Sequence, residues 1–209
     1  MLLEFRVLAF GRLWLAVFEI LFGSVSVKAC RCITTVGVSN VHNVVIRLCD
    51  IIWSVLQPEY LAAPTMEVWK ASSKKFNLLW NFPHCCGATD GKHVVIQAPA
   101  KSGSMYFNYK GTFSIVLLAL VDPEYRFLAV DIGQHGSCSD GGIFRRSALG
   151  QALEANQLNL PRPAPLPNAS DIGRLPHYIV GDEAFLLETF LLRPYPGRGL
   201  PVEKRVFNY

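Results

Sequence analysis

The chain has 209 residues and a formal net charge of +4, which is enough for one domain of ordinary size with a small module attached. Hydrophobic residues make up 51% of it and charged residues 17%, and this balance argues against a natively disordered chain. The six cysteines are too few and too irregularly spaced for a disulfide scaffold, so we expect free thiols.

The first 30 residues form a hydrophobic leader that is not typical of a membrane anchor. Charged residues interrupt it at Glu4, Arg6, Arg12 and Glu19. No uncharged stretch within it approaches the roughly 20 residues that a spanning helix requires. We therefore expect no stable membrane association, while a secretory cleavage site near Ala29 stays open.

Two helices are predicted between residues 31 and 80. In the first, apolar residues recur at helical spacing behind Ser39, a residue type that favours helix N-termini, and the helix is expected to end at Pro58. Gly37 suits the tight turn of a helix-turn-helix. The second helix begins behind Thr65. A plain amphipathic helix in a bundle is the alternative to DNA recognition, and spacing alone favours that alternative.

From residue 81 the pattern changes to short apolar runs that are typical of strands: CCGAT, HVVIQAP, SIVLLALVD, RFLAVDIG and HYIVGD. A helix is predicted over residues 139–158. Five prolines between residues 161 and 176 predict an exposed loop without regular structure, and a further helix is predicted over residues 183–192. This order indicates a mixed α/β domain behind a helical module.

Two apolar strands are each predicted to end in an aspartate beside a glycine, in GATDGKHV at Asp90 and in YIVGDEAF at Asp182. Carboxylates at the ends of two neighbouring buried strands are held rigidly and can place two oxygen ligands on one hard cation. Such a site supports phosphodiester hydrolysis with Mg²⁺ or Mn²⁺. The structural alternative makes Asp90 part of a turn and Asp182 a helix N-cap, and spacing alone favours it.

Several motifs in the same order resemble the DDE nuclease domain of the Harbinger superfamily. NFPHCCGATDGKH is similar to the segment around that family's first catalytic aspartate, although Thr89 stands where isoleucine is usual. YFNYKGTFSIVLLALVDPEYRFLAVDIGQHGSCSDGGIFRRS resembles its strand-hairpin region, including the turn at Asp140, and HYIVGDEAF resembles the segment of the second aspartate. From about Ile33 to Tyr209 the chain thus resembles a PIF/Harbinger-type transposase-derived nuclease.

The resemblance implies an α/β, ribonuclease-H-like mixed sheet with flanking helices, preceded by a small helix-turn-helix-like module. It implies DNA as substrate, Mg²⁺ or Mn²⁺ as cofactor, and catalytic and metal-binding roles for Asp90 and Asp182. It also places the third metal-binding acid, a glutamate, after Tyr209, so we expect two of the three acids in this sequence. The predicted divisions are a leader over 1–30, a helical module over 31–80 and a nuclease domain over 81–209.

Three further residues, His93, Lys110 and Asp140, are candidates for a role beside the metal or for a contact with DNA. His93 could equally be a strand histidine bonded to backbone. The predicted function is metal-dependent DNA cleavage. The alternatives are a catalytically inactive module that binds DNA or protein, and a relic that folds poorly. A nuclear location, with the cytoplasm as the alternative, is implied by the resemblance alone, and a separate DNA-binding protein partner stays open.

Overall fold

Two long helices precede a sheet in the structure, which is a computed structural model that describes residues 38–167 and 169–208. The helices are α1 (Val38–Tyr60), α2 (Met66–Trp80), α3 (Asp140–Arg146), α4 (Ala148–Glu154) and α5 (Val202–Asn208). The strands are β1 (Cys85–Val95), β2 (Ser114–Val121), β3 (Phe127–His135), β4 (Ala164–Leu166), β5 (Ala169–Leu175), β6 (Tyr178–Val180) and β7 (Leu191–Leu192). The predicted leader lies outside the described residues.

A five-stranded mixed sheet forms the centre of the fold, in the order β3-β2-β1-β6-β7. Strands β1, β2 and β3 are consecutive in the chain and pair antiparallel. Strand β6 returns parallel to β1 after the crossover through α3 and α4, and β7 then pairs parallel with β6. This arrangement confirms the predicted ribonuclease-H-like mixed sheet with flanking helices.

The core lies between the sheet and the helices that cover it. Alternate residues of β2, namely Val116, Leu118 and Leu120, are buried in one apolar cluster together with Ile143 of α3 and Trp69 of α2. Helix α2 is attached to β1 by polar bonds as well, since the hydroxyl of Ser72 donates to the carbonyl of Cys86 at 2.6 Å. The packing therefore holds β1, which carries Asp90, firmly against its helical cover.

Helix α1 differs from the sequence prediction at its end and in its surroundings. It continues through Pro58 to Tyr60, and Ser39 lies within it. Large apolar residues on it are exposed, including Val44, Ile51 and Val55. The preceding helix of the predicted helix-turn-helix falls outside the described residues. Within residues 38–167 and 169–208, no helix is long and apolar enough to span a bilayer.

The segment from residue 139 to 158 forms two short helices where one was predicted. Ser147 is buried between α3 and α4, and its hydroxyl accepts a bond from the Gly150 amide at 3.0 Å, which starts a new helix. Its own amide closes the end of α3 by donating to the carbonyls of Ile143 and Phe144. A capping residue inside the periodic pattern thus divides the helix.

The prediction of an irregular loop over residues 161–176 is wrong, because β4 and β5 form a two-stranded antiparallel ladder there. The prolines in and beside its first strand occupy every second position, 163, 165 and 167. In such a ladder only alternate amides point at the partner strand, so Ala164 and Leu166 can still donate. The spacing of the prolines, and not their number, therefore decides whether this segment can form a ladder.

The helix predicted over residues 183–192 is also wrong, because this segment consists of turns followed by β7. Phe185 and Leu191 are both fully buried, at 0% and 1% exposure. Leu191 pairs beside Ile179, whose amide donates to the Phe190 carbonyl at 2.9 Å. Pairing with β6 therefore overrides the helical pattern.

Replacing Trp69 by alanine should lower the free energy of unfolding by about 3–5 kcal/mol, because it opens a cavity in the core. The side chain is fully buried, and its Nε1 donates to the Leu158 carbonyl at 2.8 Å. Urea denaturation measures the change. The matched control is Trp80→Ala in the same helix, where the ring is 44% exposed and the loss should be smaller. Equal losses in the two variants would contradict the assignment of Trp69 to the core.

Candidate metal centre

Asp90 lies in the middle of β1, just beyond the point where the pairing of β1 with β6 ends. The prediction that the strand ends at Asp90 is wrong, because β1 runs on to Val95 while paired with β2. The parallel pairing with β6, however, ends at Ala88 opposite Val180. Asp90 therefore comes two residues after the last β6 pair, on a backbone held by β2.

Asp182 occupies the equivalent place on the neighbouring strand, two residues after Val180. Its Oδ1 accepts a bond from the Ala184 amide at 2.9 Å, which makes a tight turn and not the helix cap considered from the sequence. A side chain on Gly181 would overlap the ring of Phe185 and press on Thr89 of β1. The glycine therefore allows the backbone before Asp182 to pack closely against β1, beside Asp90.

Asp140 brings a third carboxylate to this end of the sheet. It lies in the first turn of α3, and its carboxylate occupies the space in which Gly91 would carry a side chain. Its Oδ1 is buried and has no hydrogen-bond partner. Since buried carboxylate oxygens are normally bonded, this atom is a candidate to interact with a group added from outside.

The three carboxylates affect one another electrostatically. Burial raises the pKa of Asp90 above its ordinary value, and the charges of Asp182 and Asp140 raise it further. The pKa of Asp140 is raised by burial first and by the charge of Asp182 second. A site where burial and like charges disfavour ionisation favours a bound cation, because the cation would offset both effects.

The donor atoms at this place fit a divalent metal ion. Asp90 and Asp182 carry oxygen ligands of the kind that Mg²⁺ and Mn²⁺ prefer. The carboxylate of Asp140 lies in the space of a Gly91 side chain, on the opposite face of β1 from the side chain of Asp90, because successive side chains of a strand alternate between the two faces of the sheet. In residues 38–167 and 169–208, no three Asp, Glu, His or Cys side chains are already gathered as a set of metal ligands. Asp90 and Asp182 are the two predicted ligands, and they lie beyond the ends of neighbouring parallel-paired segments.

His93 lies two residues from Gly91 along β1 and is fixed by a buried polar network. Its Nδ1 is 2.9 Å from the hydroxyl of Ser114, which also accepts from the side-chain amide of Asn108 at 2.8 Å. The orientation of that amide follows from its Oδ1, which accepts two backbone N–H groups. The hydroxyl can then donate to Nδ1, an arrangement that leaves the proton of the neutral ring on Nε2.

This network was not predicted from the sequence. Asn108 and Ser114 are almost fully buried, and no motif distinguishes them, because their function here is to hold another side chain. The only sequence signal was the position of Ser114 as a polar residue at the start of an apolar strand. The alternative in which His93 bonds to backbone is not what the structure shows, since its ring pairs with a side-chain hydroxyl.

Basic side chains flank the carboxylates. The charge of Lys92 lowers the pKa of Asp90, and the charge of Lys110 lowers the pKa of Asp140, in each case opposing the effect of burial. Lys110 is exposed and lies over the ring of Tyr109 at 5.3 Å. Arg126, by contrast, is bound to Asp122 and Glu124. Lys92 and Lys110 thus place positive charge near these acids.

Asp90, Asp140 and Asp182 are half-buried and line neither of two clefts found elsewhere in the fold. A cleft of about 580 Å³ at the other end of β1 and β6 is lined by Lys70, Arg162 and His177 among others, and a smaller one beside it by His84. His84 precedes Asp90 by six residues, which is about 20 Å along an extended strand.

Replacing Asp90 by asparagine should increase the free energy of unfolding at pH 7 without divalent metal, because it removes a carboxylate whose ionised form is disfavoured. The pKa of Asp90 in the folded protein is raised above its ordinary value. The wild-type protein therefore loses stability as the pH rises from the ordinary pKa of aspartate, about 4, through the raised one. The excess stability of Asp90→Asn over wild type should therefore shrink as the pH falls towards about 4. Urea denaturation at both pH values measures it, with the exposed Asp171→Asn as control. If Asp90→Asn is less stable than wild type at pH 7, the ionised carboxylate of Asp90 does not destabilise the fold and the explanation is contradicted.

Comparison with known proteins agrees with this geometry. The family model described as DDE superfamily endonuclease matches residues 89–209, a range that contains Asp90, Asp140 and Asp182. Among curated proteins, the chain is 35% identical to "Protein ALP1-like" of Arabidopsis thaliana over 136 residues, which are 64% of this chain and 33% of that protein. It is 29% identical to "Putative nuclease HARBI1" of Rattus norvegicus over 131 residues, which are 63% of this chain and 33% of that protein.

The chain spans about a third of the length of these curated relatives. No solved structure matches it. The family match covers more than half of the chain and includes both aspartates of the pair. The curated relatives bear out the resemblance to transposase-derived nucleases. The chain therefore belongs to the DDE superfamily endonucleases.

Proposed function

We propose that this chain is a divalent-metal-dependent nuclease domain that hydrolyses phosphodiester bonds in DNA. The observation that carries the proposal is the placement of Asp90 and Asp182, each two residues after the last pair of the parallel β1–β6 ladder. The family match supports the reaction class. Two carboxylates on adjacent strands are the minimal arrangement for holding Mg²⁺ or Mn²⁺ against a phosphate.

A bound Mg²⁺ or Mn²⁺ would activate a water molecule and stabilise the negative charge that develops on the phosphate. The protein contributes rigidity to this process. Asp90 is fixed by the pairing of β1 with β2, and Asp182 by the turn that its own Oδ1 closes. In the proposed tautomer, His93 offers an Nε2–H that can donate to a phosphate oxygen, because Ser114 occupies Nδ1.

DNA is the substrate we propose, with a nuclear location and a separate DNA-binding protein as further parts of the hypothesis. Exposed Lys92 and Lys110 beside the acids support it, because phosphate contacts by lysine dominate affinity for nucleic acid. The net charge of +4 is compatible with a polyanion.

A second candidate function is that of a catalytically inactive module that binds a protein partner. Helix α1 favours it, because exposed Val44, Ile51 and Val55 give that helix an apolar surface. The two functions differ in their dependence on the paired acids. An inactive module would keep its partner when Asp90 and Asp182 are replaced, whereas the nuclease would lose its activity.

Replacing Asp90 or Asp182 by asparagine should reduce metal-dependent cleavage of DNA at least about a hundredfold, because each variant removes one oxygen ligand and one negative charge. Nicking of supercoiled plasmid in Mg²⁺ or Mn²⁺ measures the loss. Asp171→Asn, on exposed β5, is the matched control and should cleave like wild type. Wild-type protein without cleavage in either metal, or cleavage unaffected by both variants, would overturn the nuclease proposal.

Replacing Lys92 or Lys110 by glutamine should weaken DNA binding and reduce its salt dependence. The slope of log affinity against log salt concentration should fall by about 0.9 for each duplex phosphate that the variant no longer neutralises. Fluorescence anisotropy in metal-free buffer measures binding without cleavage. Lys75→Gln is the control, because Lys75 is already paired with Glu124. If both test variants keep the wild-type slope, the DNA passes elsewhere on the surface.

A further inference from the structure

Two adjoining clefts lie between α2 and the β4–β5 hairpin, at the end of β1 and β6 that is remote from the paired aspartates. The larger has a volume of about 580 Å³ and the smaller of about 230 Å³, and Lys70 and His177 line both. Together they form one groove, here named the basic groove, whose polar lining includes Lys70, Lys74, Arg162, Arg174, His84 and His177.

Four positively charged side chains from two separate elements meet in the basic groove. Lys70 and Lys74 lie one turn apart on α2 and therefore share a face of that helix. Arg162 precedes β4, and Arg174 lies on β5, where it pairs with Pro165. All four side chains are exposed. The hairpin thus brings two arginines to a groove that two distant lysines already line.

These charges lack an acidic partner in the part of the chain that the structure describes. None of the four forms a salt bridge there, whereas Lys75 on the same helix is bound to Glu124. Among the described residues, no Asp or Glu lines either cleft. Glu67 lies one turn before Lys70 but is exposed, so it offsets this charge only weakly. Positive charge concentrated in a groove attracts an anion.

The surface between the cations is partly apolar. Met66, Pro161 and Pro163 line the larger cleft beside them. A free inorganic anion gains nothing from contact with such carbon surface. A nucleic-acid strand alternates phosphates with sugars and bases, and its less polar parts can cover apolar side chains while lysine and arginine bind the phosphates. The lining therefore fits a nucleotide chain better than a small anion.

Two stacked histidines add polar groups to the basic groove. The ring centroids of His84 and His177 are 4.5 Å apart, with 15° between the ring planes. Nδ1 of each ring is buried and has no hydrogen-bond partner within the described residues. Burial lowers the pKa of His177, and a charge on His84 lowers it further. A bound anion would oppose both effects, because it favours the protonated ring.

We propose that the basic groove binds the phosphate backbone of DNA, as a contact separate from the metal centre. The inference rests on the proposed nuclease function for the identity of the polymer, and it adds a second binding surface. His84 lies about 20 Å from Asp90 along β1. Phosphates of one strand advance about 3.4 Å per base pair along the duplex axis. About six base pairs therefore span this distance, so one DNA molecule can contact both places.

Removing two charges from the basic groove should weaken DNA binding and leave the metal centre intact. We expect the double variant Lys70→Gln/Arg174→Gln to bind a duplex of roughly 20 base pairs at least about tenfold more weakly than wild type. The slope of log affinity against log salt concentration should fall by about 1.8, which is about 0.9 for each of two phosphates. Fluorescence anisotropy of the full chain in metal-free buffer measures both quantities.

Two controls separate the loss of charge from damage to the fold. Lys75→Gln lies on the same helix and removes a lysine that is already paired with Glu124, so it should bind like wild type. The exchange Lys70→Arg/Arg174→Lys keeps both charges and should keep the wild-type salt slope. If the exchange variant loses as much slope as the double glutamine variant, charge is not the cause and the proposal is overturned. Thermal unfolding verifies that each variant is folded.

The outcomes distinguish this inference from the nuclease proposal. If the double glutamine variant binds DNA like wild type while Asp90→Asn abolishes cleavage, the basic groove does not bind DNA and the nuclease stands. If the groove variant loses DNA affinity but wild-type protein cleaves no DNA in Mg²⁺ or Mn²⁺, the groove stands and the nuclease proposal fails.

Competition with poly-L-glutamate tests an acidic protein segment as the alternative occupant. At equal total charge, we expect it to displace DNA from wild-type protein much less effectively than unlabelled duplex does. If poly-L-glutamate competes as well as duplex, and the double variant Lys70→Gln/Arg174→Gln loses affinity for both equally, the groove accepts acidic protein and the assignment to DNA is overturned.

Discussion

The parallel pairing of β1 with β6 is the constraint on which the site depends. These strands are distant in the sequence, yet Ala88 lies opposite Val180, and each segment continues for two residues to an aspartate. Because parallel neighbours run in the same direction, equal steps beyond a register pair bring side chains to the same level. The crossover through α3 brings Asp140 to the neighbouring residue, where its carboxylate fills the space of a Gly91 side chain.

This arrangement favours function at some cost to the fold. Burial and mutual repulsion raise the pKa of Asp90 and Asp140, and Oδ1 of Asp140 has no partner. The surrounding packing offsets the cost, since Trp69, Leu118 and Ile179 are almost fully buried near the middle of the sheet. The core therefore supplies the stability, and the charged groups lie at the edge of the sheet where β6 ends. Such a division agrees with the cation binding that we propose.

Much of the fold follows from local patterns in the sequence. The short apolar runs of β2 and β3, with their Val and Ile residues, and the Thr65 cap of α2 predict elements that the structure contains. The failures have a common cause in tertiary pairing. Leu191 joins β6 and so does not continue a helix, and the alternating prolines before Ala169 allow a ladder. Strand ends were also misjudged, because β2 supports β1 well beyond Asp90.

The paired aspartates could be predicted as candidates, because glycine beside aspartate after an apolar run is visible in the sequence. The contact of Asp140 with Gly91 and the network behind His93 could not, since both join residues through the fold. The most direct test of the metal centre is a crystal structure with Mn²⁺, using anomalous scattering to locate the ion. We predict a peak between the carboxylates of Asp90 and Asp182. Well-ordered carboxylates with no peak between them at millimolar Mn²⁺ would contradict the assignment.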